Sequence, residues 1–367
     1  MAETAAAWVD RVIPLVRTRQ WVLTVPFGRR LLLARNPDLE RGVHQTAMAC
    51  IERWYAREAN GGQTGSVTAT QRFGSALQLN LHFHAIFLDG CYARDRLGTP
   101  RFRQVTPHTS DVEKLVVEIA IACEDWLSKA GFGADDDVSD PDDDGLGLFQ
   151  AAAAAGYSAV RGVPTPVARR VQVIRGKERL LPPMCASCAG YNLHAGVAIG
   201  AQDRQGLERL GRYLLRPPVA KTSLSQEADG SVVFEMKRAY ADGTAALRFT
   251  PEELVSRLVA IVPPAGANQI VYRGVLAGNA ALRAEVIPKM ERAPGPPGME
   301  LGPLTKKAKG PGRRPRATWA QLVWRVFEVS GWHCPSCGAK MELRHVMEGG
   351  PTTKRVLAGL IRAAAPP

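Results

Sequence analysis

No stretch of about 18 uninterrupted apolar residues occurs in this 367-residue sequence, so it offers no candidate for a membrane-spanning helix. The N-terminal segment MAETAAAWVDRV carries acidic residues and lacks the apolar core of a secretion signal. Both absences point to a cytoplasmic protein. Cysteine is sparse. Cys50, Cys91 and Cys123 stand alone, and the other four form the pairs Cys185/Cys188 and Cys334/Cys337. An odd total with paired spacing favours a reducing compartment, with metal or thiol chemistry ahead of a disulfide framework. A Gly-x-x-x-x-Gly-Lys-Ser/Thr loop is missing, which argues against a fused nucleotide-driven helicase. Internal repeats are missing too. Seven of the 35 acidic residues fall in one run, Asp135 to Asp144, so the rest of the chain is more basic than the formal net charge of +12 suggests. The sequence pI is about 9.6. Such an excess favours a polyanionic partner through counterion release, most often nucleic acid, although it also fits a basic protein with no such partner.

Hydrophobic residues make up 46% of the chain, so most of it is expected to fold as a globule. Residues 19–25 alternate as a strand ended by Pro26, and Asn36-Pro37 opens a helix with Leu39, Val43, Cys50, Ile51 and Trp54 along its apolar stripe. Residues 65–72 and 77–88 read as two strands joined by a short Gly-Ser turn. Ser110-x-x-Glu113 reads as a capping box opening the next helix. The region 131–184 is irregular and reads as an insertion. Residues 191–200 form another strand, and 203–216 a helix stopped by Pro217-Pro218. The expected fold is therefore α+β, a ferredoxin-like split β-α-β antiparallel sheet with one extra helix, over residues 1–225. A β-hairpin and helix extension follows at 226–291, the helix opening at Thr250-Pro251-Glu252-Glu253. A basic Pro/Gly linker spans 292–317, and a small terminal module with a Cys-x-x-Cys pair spans 318–367. The linker cations Lys306, Lys307, Lys309, Arg313, Arg314 and Arg316 could track phosphates or simply solvate a tether.

The chemistry concentrates on the strand 77–88. Its odd positions, Leu77, Leu79, Leu81, Phe83, Ala85 and Phe87, are apolar throughout; its even positions include Gln78, Asn80, His82 and His84. Side chains alternate across a sheet, so the two imidazoles share the polar face about 7 Å apart, close enough to lean onto one ion. The same pattern also fits two solvated histidines. A third ligand could be Gln71 on the hairpin partner, opposite Gln78 or Asn80, or His194 on the strand 191–200. Two imidazoles and one oxygen leave open positions and suit Mg²⁺ or Mn²⁺ with water and phosphate. On the helix 203–216, Arg209 and Arg216 lie four before and three after Tyr213 and share its face. A tyrosine hydroxyl between two arginines can meet a phosphate and attack it, though an amphipathic core-edge tyrosine has the same pattern. Arg72, beside Gln71, is a further candidate phosphate ligand. Cys334 and Cys337 make half of a possible zinc site, which His333 and His345 could complete, and Cys185/Cys188 offer a weaker half.

The blocks QRFGSALQLNLHFHAIFLDG (71–90), YNLHAGVAIGA (191–201), GRYLLRPPVA (211–220), YADGTAALRFTPEELVSRLVAIVPP (240–264) and HCPSCGAKMEL (333–343) resemble rolling-circle transposases of bacterial insertion sequences, members of the HUH endonuclease superfamily. The resemblance implies that His82 and His84 bind a metal and that Tyr213 attacks DNA. Single-stranded DNA, at element ends and at the target, would be nicked and rejoined through a 5′-phosphotyrosine with no nucleotide cofactor. It also implies a bacterial, nucleoid-associated protein. Relatives usually carry a Cys-rich module ahead of the segment matching MAETAA, and this sequence begins at that segment. Some relatives use two tyrosines four residues apart; Arg209 and Pro217 occupy those positions here, so one tyrosine is implied. A relaxase or replication initiator with the same chemistry is an alternative, as is a non-catalytic DNA-binding remnant of a decayed element.

Overall fold

The apolar positions of the central strand demand a core on one side, and three helices supply it. The computed structural model describes residues 1–133, 171–174, 177–237, 239, 243–287, 319–328, 334 and 337–339. Most of the expected insertion, the linker 292–317 and nearly all of the terminal module thus lie outside the described residues. Helix α1 (Ala2–Arg11) leads into β1 (Thr18–Thr24), then α2 (Phe27–Arg35) and α3 (Pro37–Glu58). The hairpin β2 (Gly65–Phe73) and β3 (Leu79–Leu88) follows, then β4 (Gly90–Arg94), β5 (Pro100–Gln104) and α4 (Thr109–Lys129). After a small hairpin, β6 (Val171–Ile174) and β7 (Lys177–Leu180), come β8 (Cys185–Cys188), β9 (Tyr191–Ile199) and α5 (Arg204–Leu214). Strand β10 (Leu224–Gln226) straddles the expected boundary at 225/226, and the expected extension holds β11 (Val232–Glu235), β12 (Ala246–Phe249), α6 (Pro251–Ile261), β13 (Ile270–Gly274) and α7 (Arg283–Val286). Helix α8 (Trp319–Phe327) belongs to a second compact unit, essentially Glu291–Pro367, separate from a first of essentially Glu3–Met290.

The architecture is α+β. A six-stranded sheet has the order β13-β2-β3-β1-β9-β8, and its pairings are antiparallel. The inner four strands, β2-β3-β1-β9, are two interleaved β-α-β units, in the split order expected from the sequence. One face packs on α2, α3 and α4. There Trp21, Leu23, Leu81, Phe83, Phe87 and Leu193 meet Val43, Ile51, Val112, Leu115 and Ile119 in one buried cluster. Each such large side chain contributes about 1.5–3 kcal/mol by leaving water, so this face dominates the stability of the sheet. On the other face Trp8 and Val9 of α1 and Leu207, Leu210 and Leu214 of α5 cover Val67, Ala69, Ile86 and Leu88.

The structure departs from the sequence reading in several places. The second hairpin strand starts at Leu79, not Leu77. Leu77 sits in the turn at φ +60° and its side chain joins Phe234, Met236, Phe249 and Leu254, so the extension takes it from the strand. Helix α4 begins at Thr109 rather than after Ser110, because the Asp111 carboxylate accepts the His108 backbone N–H at 2.8 Å. The Thr250 cap forms as expected, with Thr250 Oγ1 accepting the Glu253 N–H at 3.2 Å and Glu253 Oε2 the Thr250 N–H at 2.8 Å. Strand β13 crosses the boundary drawn at 225/226 and extends the main sheet beside β2.

A buried charge cluster pins the end of β3. Asp89 accepts Arg19 Nε and Nη2, both at 3.0 Å, and the Tyr55 hydroxyl at 2.7 Å. Arg17 Nε adds an ion pair at 3.1 Å, and Arg19 Nη1 donates to the Ala195 carbonyl at 2.8 Å, so β1, β3, β9 and α3 are tied together. Removing the acid strands a buried guanidinium, which costs about 3–5 kcal/mol. Urea unfolding of Asp89→Ala should show that loss. Asp125→Ala breaks only the exposed pair with Lys129 and should cost about 1 kcal/mol or less.

Candidate functional site

The even-numbered residues of β3 face α1 and α5. His82 lies opposite Thr24 of β1 and Gln71 of β2; His84 lies opposite Val22 and Ala69. Residues directly across a ladder share a face, so Gln71 sits beside His82 itself, one rung further along than the expected Gln78 or Asn80 position. The two imidazole centroids are 4.8 Å apart, and His84 lies 5.9 Å from the Tyr213 ring at 82°. Tyr213 arrives on the last turn of α5. That helix is capped by Asp203, whose carboxylate accepts the Gly206 N–H at 2.7 Å. It approaches α1 closely at Gly211, where a Cβ would lie 3.1 Å from that of Ala5. Its end is held by Gln71, whose Nε2 donates to the Leu214 carbonyl at 2.7 Å. Tyr213 is 42% exposed, whereas His82 and His84 are 9% and 4% exposed, so the phenol forms the mouth of the site and the imidazoles its floor.

Burial holds His82 down at about 4, with Arg30 and Arg216 pushing the same way against its hydrogen bond to Asn80. Burial, aided by His82, Arg216 and His194, holds His84 down at about 3. Both rings are thus neutral near pH 7, the form that donates a lone pair to a cation. His82 Nδ1 donates to the Asn80 carbonyl at 2.7 Å, which leaves Nε2 as the lone-pair nitrogen. Gln20 Nε2 lies 2.8 Å from His84 Nδ1, an amide N–H facing a ring nitrogen. Turning that amide over would present its oxygen to Nδ1–H and leave Nε2 as the open nitrogen here too. His84 Nε2, Gln71 Oε1 and Asn80 Oδ1 are buried without hydrogen-bond partners. Buried polar atoms are almost always partnered, so two orphan amide oxygens beside two neutral imidazoles fit a divalent cation. Among the described residues no group of three or more His, Cys, Asp or Glu side chains could hold a metal, so an amide oxygen would have to complete the set.

The remaining expected residues are scattered. His194 lies across Val22 from His84 but folds over its own strand, with Nε2 2.9 Å from where a Gly196 Cβ would stand. Arg216 stacks on the Tyr213 ring at 4.4 Å, its Nε buried and without a partner. Arg209 is exposed one turn before Tyr213. Arg72 is not brought to the site. It is buried, with Nη1 2.8 Å from Glu40 and Nη2 2.5 Å from the Ala34 carbonyl. Cys185 and Cys188, three apart on β8, face opposite sides, Cys188 in the helix-covered core and Cys185 paired with His194. Cys334 and Cys337 belong to the second unit, in a turn where Cys334 N donates to the Ala339 carbonyl and Gly338 N to the Cys334 carbonyl, both at 2.8 Å. His333 and His345 lie outside the described residues. Sequence reasoning missed Gln20, Asn80 as a backbone acceptor, and Arg30, all of which depend on long-range packing.

The profile of a family described as "Putative transposase" matches residues 65–283, which holds both histidines, the tyrosine and most of the extension. The chain belongs to this transposase family. No curated protein and no solved structure matches it. As a transposase it processes DNA, and no helix among the described residues is long and apolar enough to cross a membrane.

The neutral histidines give the transposase a testable pH dependence. His44, buried under Phe83, is likewise held at about 4 by burial, with Arg273 adding to it. The ordinary value is 6.5, so below it the unfolded chain takes up protons that folded His44, His82 and His84 refuse. Their contribution to stability is present above pH 6.5 and is lost as pH falls towards 4. With EDTA present, urea unfolding should weaken across that window by up to about 1.4 kcal/mol per pH unit for each histidine. His44→Gln should reduce the slope by about one proton; an unchanged slope would contradict the assignment.

Proposed function

We propose that this transposase nicks and rejoins single-stranded DNA through a 5′-phosphotyrosine on Tyr213, with a divalent cation, Mg²⁺ or Mn²⁺, held by His82 and His84. This is the rolling-circle chemistry of the HUH superfamily, acting on element ends and target strands. The observation that carries the reading is the meeting of two neutral imidazoles from β3 with an accessible tyrosine from α5, within 5.9 Å of ring-centre distance. Gln71 supports it as the third donor, since its Oε1 is buried, unpartnered and on the rung of His82. A bound cation would draw charge from the phosphoryl oxygens as it builds there.

The residues of the chain supply the rest. Tyr213 Oη forms a bond to phosphorus, and the bond from phosphorus to the 3′ oxygen breaks. The phenol gives up its proton to solvent, and the departing oxygen gains one and leaves as a 3′ hydroxyl. The phosphodiester is exchanged for a phosphotyrosine ester, so a second 3′ hydroxyl can reverse the step without nucleotide hydrolysis. Arg216, stacked on the ring, restricts where the phenol points and presents a guanidinium to the same phosphate. Burial keeps both imidazoles unprotonated across the physiological range, so their lone pairs stay available.

Incubation with a single-stranded oligonucleotide carrying the element end and Mn²⁺ should give a covalent adduct on a denaturing gel. Tyr213→Phe should abolish it, and His84→Ala should slow it about 100-fold or more. An adduct of undiminished yield in Tyr213→Phe would remove the tyrosine from the mechanism.

A further inference from the structure

Two adjacent arginines on α2 have different surroundings. Arg29 is buried and engaged, with Nη2 2.8 Å from Glu124 and Nη1 3.0 Å from the Gly133 carbonyl. Arg30 has no carboxylate partner among the described residues. Its Nε reaches the Val25 carbonyl at 3.4 Å, and its guanidinium lies 5.3 Å from the Phe27 ring centre. Those anchors place it at the His82 end of the site. Val25 N donates to the Leu81 carbonyl at 3.4 Å, and Thr24 is the register partner of His82. The charges of Arg30 and Arg216 both act on the His82 ring. Arg216 also lacks a carboxylate partner among the described residues. Two guanidinium groups from distant parts of the chain, one at the end of β1 and one on the Tyr213 ring, therefore flank the site with no carboxylate paired to either among the described residues.

An uncompensated cation that is partly desolvated is costly to keep. Burial lowers Arg30 to about 10, which reflects that cost. A backbone phosphate would relieve it, because guanidinium matches phosphate oxygens in a two-pronged geometry and each contact releases a counterion.

We propose that Arg30 binds a backbone phosphate of the single strand that lies over His82 and His84, in addition to any phosphate met by Arg216. The proposal rests on the reading of this face as a single-strand DNA site. Arg30 holds the strand in register and takes no part in bond making.

The test separates the two claims by measuring binding without cleavage. Full-length Tyr213→Phe protein in EDTA is titrated with a fluorescent single-stranded oligonucleotide at several salt concentrations. Adding Arg30→Gln should weaken binding about tenfold at low salt and make the slope of log affinity against log salt shallower by about 0.7. Arg30→Lys, which keeps the charge, should restore the slope. Unchanged affinity with an unchanged slope would overturn the proposal, and so would a loss of affinity with no change in slope, since that marks a structural effect. Should Arg30→Gln fail to fold, phenylglyoxal labelling of the unmutated protein replaces it. Arg30 should be labelled in the free protein and shielded by the oligonucleotide; equal labelling would overturn the contact. Absence of an adduct from the unmutated protein with Mn²⁺, alongside a reduced slope on Arg30→Gln, would defeat the nicking reading and leave the phosphate contact standing. An adduct with no Arg30 effect would do the reverse.

Discussion

The two-residue repeat of β3 is the constraint on which the rest of the structure depends. Leu81, Phe83, Ala85 and Phe87 must enter the core under α3 and α4, and alternation then sends His82 and His84 to the opposite face. A slip of one residue would bury both imidazoles among aliphatic side chains and expose two phenylalanines, so the register is strongly specified. Pairing with β1 and β2 on both flanks fixes it along the strand, and the Asp89 cluster fixes it at the end. The candidate site thus needs no special loop. It follows from the stability of the sheet.

The second face is only partly covered, and this partial cover sets the electrostatics. Helices α1 and α5 close over Val67, Ala69, Ile86 and Leu88, yet leave Tyr213 accessible at the end of α5. The histidines beneath it are desolvated enough to stay neutral and close enough to the surface to be reached through the phenol. Arg30 and Arg216 give this pocket a positive potential, with no carboxylate paired to either among the described residues. An anionic strand and a divalent cation would each ease the binding of the other there, because the phosphate offsets charge that otherwise repels the cation.

Much of this was legible in the sequence wherever the signal was local. Alternation over 79–88 placed His82 and His84 on one side, and the helical spacing of Leu207, Leu210 and Leu214 placed Tyr213 at the margin of its stripe. The strand order followed from the sequence of elements. Alternation also divides Gln71 from Arg72: neighbours on a strand cannot serve the same face, and Arg72 turns to Glu40. The same parity separates Cys185 from Cys188. What stayed hidden depends on partners far away in the chain. Gln20 meets His84 only because β1 lies beside β3, Arg30 comes to the end of β1 only through the packing of α2, and β13 joins the sheet from within the extension.

The central claim is that this surface acts on DNA through Tyr213, and the most direct measurement is the mass of the attached peptide. The covalent complex is digested with nuclease and trypsin, and the adducted peptide is sequenced by mass spectrometry. The account predicts a nucleotide phosphate on the peptide beginning at Tyr213, attached at the tyrosine itself. A nucleotide on any other residue, or a protein that cuts single strands and retains none, would contradict it.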